Sequence, residues 1–210
     1  MVWQNWNLNL GITPKIRKKT ATNTPLNWIP PSPGVFKLNF DGASKGNPGQ
    51  AGFRGIIRNF NGEIQHLYFG SIGWDTNNLA ELEGLWQGLR LTLQHNLFPI
   101  IIEGDYQILI HIANQLLWGA DPNKVTHSWC LAARIDKISD WLHRNRVVSF
   151  THVKREGNKV ADFLANLGTE SNNMLTYGAL SIIHDADIQQ NCSSLVHKDC
   201  SPPDAAAVAN

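Results

Sequence analysis

The order of the periodic segments constrains this chain more than any other feature of its sequence. Apolar and polar residues alternate over residues 35–41, as in a strand with one buried face. Residues 51–58 and 63–73 also have strand patterns, and Asn61-Gly62 between them favours a tight hairpin turn. From residue 79 the apolar spacing changes to the three- and four-residue steps that are typical of helices. In this later part, strands at 99–104 and 147–153 alternate with helices at 79–95, 106–117, 122–145 and 159–167.

This order, β-β-β-α-β-α-α-β-α, predicts an α/β fold. Short turns join the first three strands, which are therefore expected to be antiparallel. The later two strands follow helical crossovers and are expected to be parallel. We predict a five-stranded mixed sheet that is flanked by helices.

Changes in composition mark the predicted domain at residues 35–170. Residues 1–34 contain several prolines and are predicted to be an irregular N-terminal linker. The basic cluster at residues 15–19 is a nuclear signal, an arm that binds nucleic acid, or a solvated part of that linker. Residues 171–210 lose the apolar periodicity and are predicted to be a mostly disordered C-terminal tail.

Charge and cysteine content narrow the function classes. The chain has 18 basic and 17 acidic residues, so any nucleic-acid site must be local. Three cysteines without a CxxC pair argue against a disulfide scaffold or a zinc knuckle. No apolar run is long enough for a membrane span, and the N-terminus lacks the apolar region of a secretory signal. We expect an intracellular protein, nuclear or cytoplasmic, that is not secreted.

Four acidic residues lie where predicted strands end or helices begin. Asp41 and Asp105 end the first and fourth strands. Glu81 and Asp162 lie in the first turns of the first and last helices. Each alone is commonly a turn or cap residue, but clustered carboxylates raise one another's pKa unless a cation compensates. Oxygen ligands select hard cations, so the set predicts a magnesium site, with manganese as the alternative.

Four segments resemble motifs of type 1 ribonuclease H domains and occur in the order of that family. These segments are residues 40–49 (FDGASKGNPG), 76–82 (TNNLAEL), 103–107 (EGDYQ) and 152–162 (HVKREGNKVAD). The resemblance covers residues 37–167, most of the predicted domain. Residues 155–165 look especially like the retroelement-related ribonuclease H domains of plants.

The resemblance implies an endoribonuclease that hydrolyses the RNA strand of an RNA–DNA hybrid with two metal ions, leaving a 5′-phosphate and a 3′-hydroxyl. The implied metal ligands are Asp41, Glu81, Asp105 and Asp162. His152 would move protons or help product release, although it could also be an ordinary strand-end residue. Two alternatives stay open: a catalytically weak or inactive nucleic-acid-binding module derived from a retroelement, and a polynucleotidyl transferase or exonuclease on a related fold.

Selecting RNA in a hybrid requires a contact with the 2′-hydroxyl group. The glycine-rich segment 42–49 is expected to bring its backbone close to a sugar. Thr76 and Asn77 are expected to bind a phosphate at a helix N-terminus, although Asn77 and Asn78 could instead cap the helix. The predicted nucleic-acid contacts are Gly42, Ser44, Asn47, Thr76, Asn77, Asn78 and Asn158.

Further predictions concern residues near this set. Glu103 has the strand parity of Asp105 and is an additional candidate metal ligand, whereas Glu83 is predicted to be solvated. The tryptophans of the 118–145 segment are predicted to pack in the core; they are Trp118, Trp129 and Trp141. The expected partner is an RNA–DNA hybrid, no membrane is expected, and we expect a monomer although the sequence leaves the oligomeric state open.

Overall fold

Six strands and four helices make up the part of the chain that the computed structural model describes, residues 28–125, 129–154 and 175–177. The strands are β1 (Phe36–Lys45), β2 (Gly49–Arg58), β3 (Ile64–Asp75), β4 (Ile100–Gly104), β5 (Val147–His152) and β6 (Leu175–Tyr177). The helices are α1 (Asn77–Gln94), α2 (Gln107–Leu117), α3 (Pro122–Val125) and α4 (Trp129–Leu142). The helix predicted at 159–167 lies outside these residues.

The strands form one mixed sheet in the order β5-β4-β1-β2-β3-β6. The pairs β1–β2 and β2–β3 are antiparallel, and β1–β4 and β4–β5 are parallel. The predicted five-stranded mixed sheet is therefore confirmed. The short strand β6 is an addition: it pairs antiparallel with β3 and lies in the segment that the sequence predicted to be a mostly disordered tail.

The apolar core lies between one face of the sheet and the helices. Leu38 and Phe40 of β1 are fully buried in it, together with Leu82, Leu85 and Leu89 from α1. α1 packs across β1, β2 and β3, while α2 packs against β4 and β5 and α4 contacts both helices. This placement holds the beginning of α1 against the middle of β1.

The opposite face of β1 is polar but also buried. Lys37, Asn39 and Asp41 alternate with the core residues and are at most 5% exposed. Trp28 packs on this face, where its indole Nε1–H donates to Oδ1 of Asn39 and the guanidinium of Arg58 stacks on its ring at 3.7 Å. The described end of the predicted linker is therefore irregular but attached to the domain.

Several predicted boundaries were wrong. β1 continues through residues 42–45, which were predicted to be turn, because they pair with β2 up to Lys45↔Gln50. The predicted helix 122–145 is two helices, α3 and α4. Trp141 is buried as predicted, but Trp118 is 85% exposed at the end of α2, because it follows the last core residue of that helix. In the described residues, no helix is both long and apolar enough to cross a membrane.

Candidate active site

Three separate elements bring three carboxylates together. Asp41 lies within β1, Asp105 directly follows β4, and Glu81 lies in the second turn of α1. β1 and β4 are parallel neighbours with Asn39 opposite Glu103. Asp41 and Asp105 each lie two residues further along the chain, which brings them side by side where β4 ends.

The three carboxylates form an acidic cluster in which each offers an oxygen within 4.8 Å of the other two. Asp41 and Glu81 are both 2% exposed, and Asp105 is half-buried. Three of the four predicted ligands are thus close together. The fourth, Asp162, lies outside the described residues, so its place in the set stays a prediction.

Two glycines allow α1 to approach β1 at this point. A Cβ on Gly42 would lie 2.1 Å from the backbone nitrogen of Glu81, and a Cβ on Gly84 would lie 2.7 Å from the carbonyl oxygen of Asp41. Only residues without a side chain fit at these contacts. The glycine of the Asp-Gly motif therefore makes room for the helix that carries Glu81.

Burial and mutual repulsion shape the electrostatics of the acidic cluster. Burial raises the pKa of Glu81 well above its usual value, and the negative charges of Asp41 and Asp105 raise it further. The neighbouring Arg54 acts in the opposite direction on this pKa. Burial and the charge of Glu81 also raise the pKa of Tyr106.

The donor set fits a hard divalent cation. All three groups offer carboxylate oxygens, which are the ligands that magnesium and manganese prefer. Oε2 of Glu81 is buried and makes no hydrogen bond among the described residues. A buried, unpaired carboxylate oxygen is costly, and a bound cation removes that cost.

An open cleft of about 370 Å³ lies beside the acidic cluster. It is lined by Asn77, Glu81, Asp105, Tyr106, His152, Val153 and Lys154. His152 is exposed on its rim, and its Nε2 lies 3.1 Å from the backbone carbonyl oxygen of Asp105. The predicted histidine therefore stands next to the carboxylates while remaining accessible to a ligand.

Four of the predicted nucleic-acid contacts lie at or beside the start of α1. Oδ1 of Asn47 accepts from the backbone N–H of Asn77 at 2.8 Å, which ties the β1–β2 turn to the helix. Thr76 is the N-cap of α1, so neither Asn77 nor Asn78 caps it. Asn78 is exposed.

Two other predicted contacts are engaged within the protein. The hydroxyl of Ser44 donates to the carbonyl oxygen of Asp75 at 2.7 Å. Gly42 is buried. Asn158 lies outside the described residues. Contact of any of these residues with nucleic acid stays a prediction.

Two predictions about glutamates were wrong. Glu103 is not part of the acidic cluster: its carboxylate accepts from Asn39 Nδ2 at 2.9 Å and from Lys37 Nζ at 2.7 Å, because the pairing of β4 with β1 places it opposite Asn39, two residues before Asp41. Glu83 is buried rather than solvated, and it pairs with Arg134 and accepts from Gln87.

Sequence reasoning missed Arg54, whose Nη2 donates to Oδ2 of Asp41. The register of β1 and β2 places the two residues directly opposite each other. A hairpin that turns at residues 46–48 produces this pairing. The position of the Gly-Asn-Pro-Gly turn is therefore the sequence feature from which the pairing of Arg54 with Asp41 could have been predicted.

Comparison with known proteins identifies the family and the relatives of this chain. The family model described as Reverse transcriptase-like matches residues 39–168. A protein of Arabidopsis thaliana that is named for ribonuclease H is 28% identical over 194 residues, which cover 92% of this chain and 28% of that protein. Ribonuclease HI of Halobacterium salinarum is 33% identical over 131 residues, which cover 60% of each. The chain thus spans less than two thirds of either relative.

Solved structures show the same fold. The crystal structure of the Halobacterium salinarum ribonuclease H1 matches with a TM-score of 0.54 at 32% identity, covering 63% of this chain and 95% of that chain. LC11-RNase H1, solved in complex with an RNA/DNA hybrid, matches with a TM-score of 0.55 at 25% identity, covering 64% of this chain and 96% of that chain. The chain therefore belongs to the Reverse transcriptase-like family, and its fold is the one seen in these ribonuclease H structures.

Proposed function

We propose that the chain is an endoribonuclease that hydrolyses the RNA strand of RNA–DNA hybrids and leaves a 5′-phosphate and a 3′-hydroxyl. The observation that carries this proposal is the acidic cluster of Asp41, Glu81 and Asp105, with its oxygens within 4.8 Å of one another beside an open cleft. Its relatives named for ribonuclease H and the hybrid complex of LC11-RNase H1 support the choice of substrate.

The proposed site holds two Mg²⁺ ions, or Mn²⁺ ions, through the acidic cluster together with Asp162. When bound, such ions supply an activated water and stabilise the leaving oxygen of a phosphodiester. The protein holds the carboxylates in place through β1, β4 and the glycine contact with α1. His152 is the proposed group that moves a proton or assists product release, and its exposure on the rim of the cleft beside Asp105 supports this role.

The start of α1 is the proposed reader of the substrate. Asn77 lines the cleft, and Asn47 is hydrogen-bonded to its backbone. Their amide side chains combine donors and acceptors, which suits a 2′-hydroxyl group. The helix N-terminus beside Thr76 favours a phosphate.

A second candidate function is a weak or inactive module that binds nucleic acid without cutting it. One observation favours it: Arg54 donates to Asp41 inside the acidic cluster and thereby provides positive charge where a metal ion would otherwise be required. The two candidates share the cleft and differ only in turnover.

A cleavage assay separates the candidates. An RNA–DNA hybrid labelled on each strand in turn is incubated with the full chain and Mg²⁺, beside an all-DNA duplex. We expect the RNA strand of the hybrid to be cleaved, and the DNA strand and the all-DNA duplex to stay intact. Extension of the cleaved RNA by a DNA polymerase tests for the expected 3′-hydroxyl.

Two matched variants complete the assay. Asp41→Asn removes a proposed ligand charge and should abolish cleavage, whereas Asp140→Asn changes an exposed carboxylate on α4, away from the cleft, and should cut like wild type. Retarded migration of the hybrid without cutting would favour the binding module. Cutting of the all-DNA duplex would point instead to a transferase or exonuclease activity on this fold.

A further inference from the structure

A buried arginine contacts one of the proposed metal ligands. Arg54 and Asp41 are 4% and 2% exposed, and Nη2 of Arg54 donates to Oδ2 of Asp41. The backbone N–H of Gly42 donates to the other carboxylate oxygen, Oδ1, at 2.8 Å. Each oxygen of Asp41 therefore already accepts a hydrogen bond from the protein.

The charge of this arginine is permanent. A guanidinium stays protonated throughout the pH range in which proteins fold, so its positive charge is present whenever a metal ion binds nearby. The antiparallel pairing of β1 and β2 fixes the backbone of Arg54 directly opposite Asp41. Any cation that binds Asp41 must share this carboxylate with Arg54 and must come close to its charge.

We propose that Arg54 sets the divalent-ion affinity of the acidic cluster by competing with the metal for Asp41. This inference rests on the proposed metal site. A divalent ion coordinates Asp41 fully only when the guanidinium gives up Oδ2, and separating a buried ion pair is costly. Repulsion between the ion and the arginine adds to that cost. The wild-type protein consequently needs more metal than the carboxylates alone would require.

Direct measurement of ion binding tests the proposal without nuclease turnover. The full chain is titrated with MnCl₂ by calorimetry, and free Mn²⁺ is followed by electron paramagnetic resonance. Arg54→Met removes the charge and keeps a side chain of similar length. Its Kd for Mn²⁺ should be lower than that of wild type by at least about tenfold, which corresponds to about 1.4 kcal/mol. Arg54→Lys keeps the charge and should stay much closer to wild type.

The matched control is Arg58→Met. Arg58 is also buried on β2, but it donates to Asn39 rather than to a carboxylate of the acidic cluster. Its loss should leave the Mn²⁺ affinity unchanged. Thermal unfolding gives a second readout, because an ion that binds the folded state more tightly raises Tm more at the same concentration. Arg54→Met should gain more Tm from Mn²⁺ than wild type or Arg58→Met.

A folded Arg54→Met protein that binds Mn²⁺ no more tightly than wild type would overturn the proposal. An equal gain in Arg58→Met would also overturn it, since the effect would then not depend on Asp41. If Arg54→Met does not fold, Arg54→Gln is judged by the same criterion. Asp41→Asn separates this inference from the proposed function: loss of Mn²⁺ binding in that variant supports the metal site whatever the arginine variants do, and unchanged binding refutes both.

Discussion

Gly42→Ala is expected to damage the acidic cluster without changing any carboxylate. The new Cβ would lie 2.1 Å from the backbone nitrogen of Glu81, whereas ordinary van der Waals contact begins at 3.4 Å. Since real Cβ contacts are essentially never shorter than 3.0 Å, strand and helix must separate by about 0.9 Å or more at this point. The atoms in contact are backbone atoms, which cannot rotate away as a side chain could. Glu81 consequently moves relative to Asp41.

The size of the effect follows from that displacement. A misplacement of about 1 Å in a catalytic group can cost about a hundredfold in rate, so we expect Gly42→Ala to lose at least that factor in hybrid cleavage. Its Mn²⁺ affinity should fall as well, because the three oxygens no longer converge within 4.8 Å. Overpacking should lower the free energy of unfolding by about 1–3 kcal/mol.

Gly88→Ala is the matched control for this experiment. Its Cβ would also be too close to neighbours, 2.5 Å from the Tyr68 hydroxyl and 2.6 Å from a methyl of Leu38, but these are side-chain atoms about two turns of α1 away from Glu81. It should lose stability while keeping its Mn²⁺ affinity. Urea unfolding, calorimetry and cleavage are compared at a temperature at which both variants are folded. Wild-type metal affinity and activity in Gly42→Ala would refute the reasoning.

Three other variants test the packing and electrostatics around the site. Trp28→Ala should lower the free energy of unfolding by about 3–5 kcal/mol, because the indole is buried against Asn39; a loss below 1 kcal/mol in urea unfolding would mean that the segment is not docked. Thr76→Ala removes the N-cap of α1 and should cost about 1 kcal/mol in the same assay, and no loss would contradict the capping role. Burial, and secondly the charge of His95, lower the pKa of His66, so the stability contributed by neutral His66 is complete above about pH 6.5 and is lost as the pH falls through its folded-state pKa. His66→Gln should therefore weaken the fall in unfolding free energy from pH 7.5 to 5.5, and an unchanged fall would contradict this origin.

Local periodicity was sufficient to predict most elements of this fold. Alternation identified β1, the strand patterns on either side of Asn61-Gly62 identified β2 and β3, and the apolar stripe from Leu79 to Leu93 identified α1. The extension of β1 past Asp41 was missed because glycine disfavours strands locally. There the pairing with β2 and the approach of α1 decide the conformation. β6 was missed for a similar reason, because three residues give no period and their strand form depends on pairing with β3.

Part of the candidate site could likewise be predicted from the sequence, and part of it could not. The motifs predicted that Asp41, Glu81 and Asp105 would meet, and the parallel pairing of β1 with β4 and the contact of α1 with β1 bring them together. Strand parity failed for Glu103 because Asp105 lies beyond the last residue of β4, where alternation no longer applies. Glu103 instead joins Lys37 across the parallel pair.

The sequence pattern gives the least information about which side chains pair between neighbouring strands of the sheet. Alternation placed Lys37, Asn39 and Asp41 on the face of β1 opposite Leu38 and Phe40, and a solvated polar face was the simple interpretation. The structure buries all three, and each then requires a partner of suitable charge. Those partners come from neighbouring strands at positions fixed by register: Glu103 for Lys37 and Asn39, and Arg54 for Asp41. A buried charge on this face of the sheet is thus paired with an opposite charge on the neighbouring strand, as Lys37 is with Glu103. For Asp41 the same requirement brings the positive charge of Arg54 to a proposed metal ligand. The pairing that stabilises the sheet therefore also affects how tightly the site can bind a metal ion.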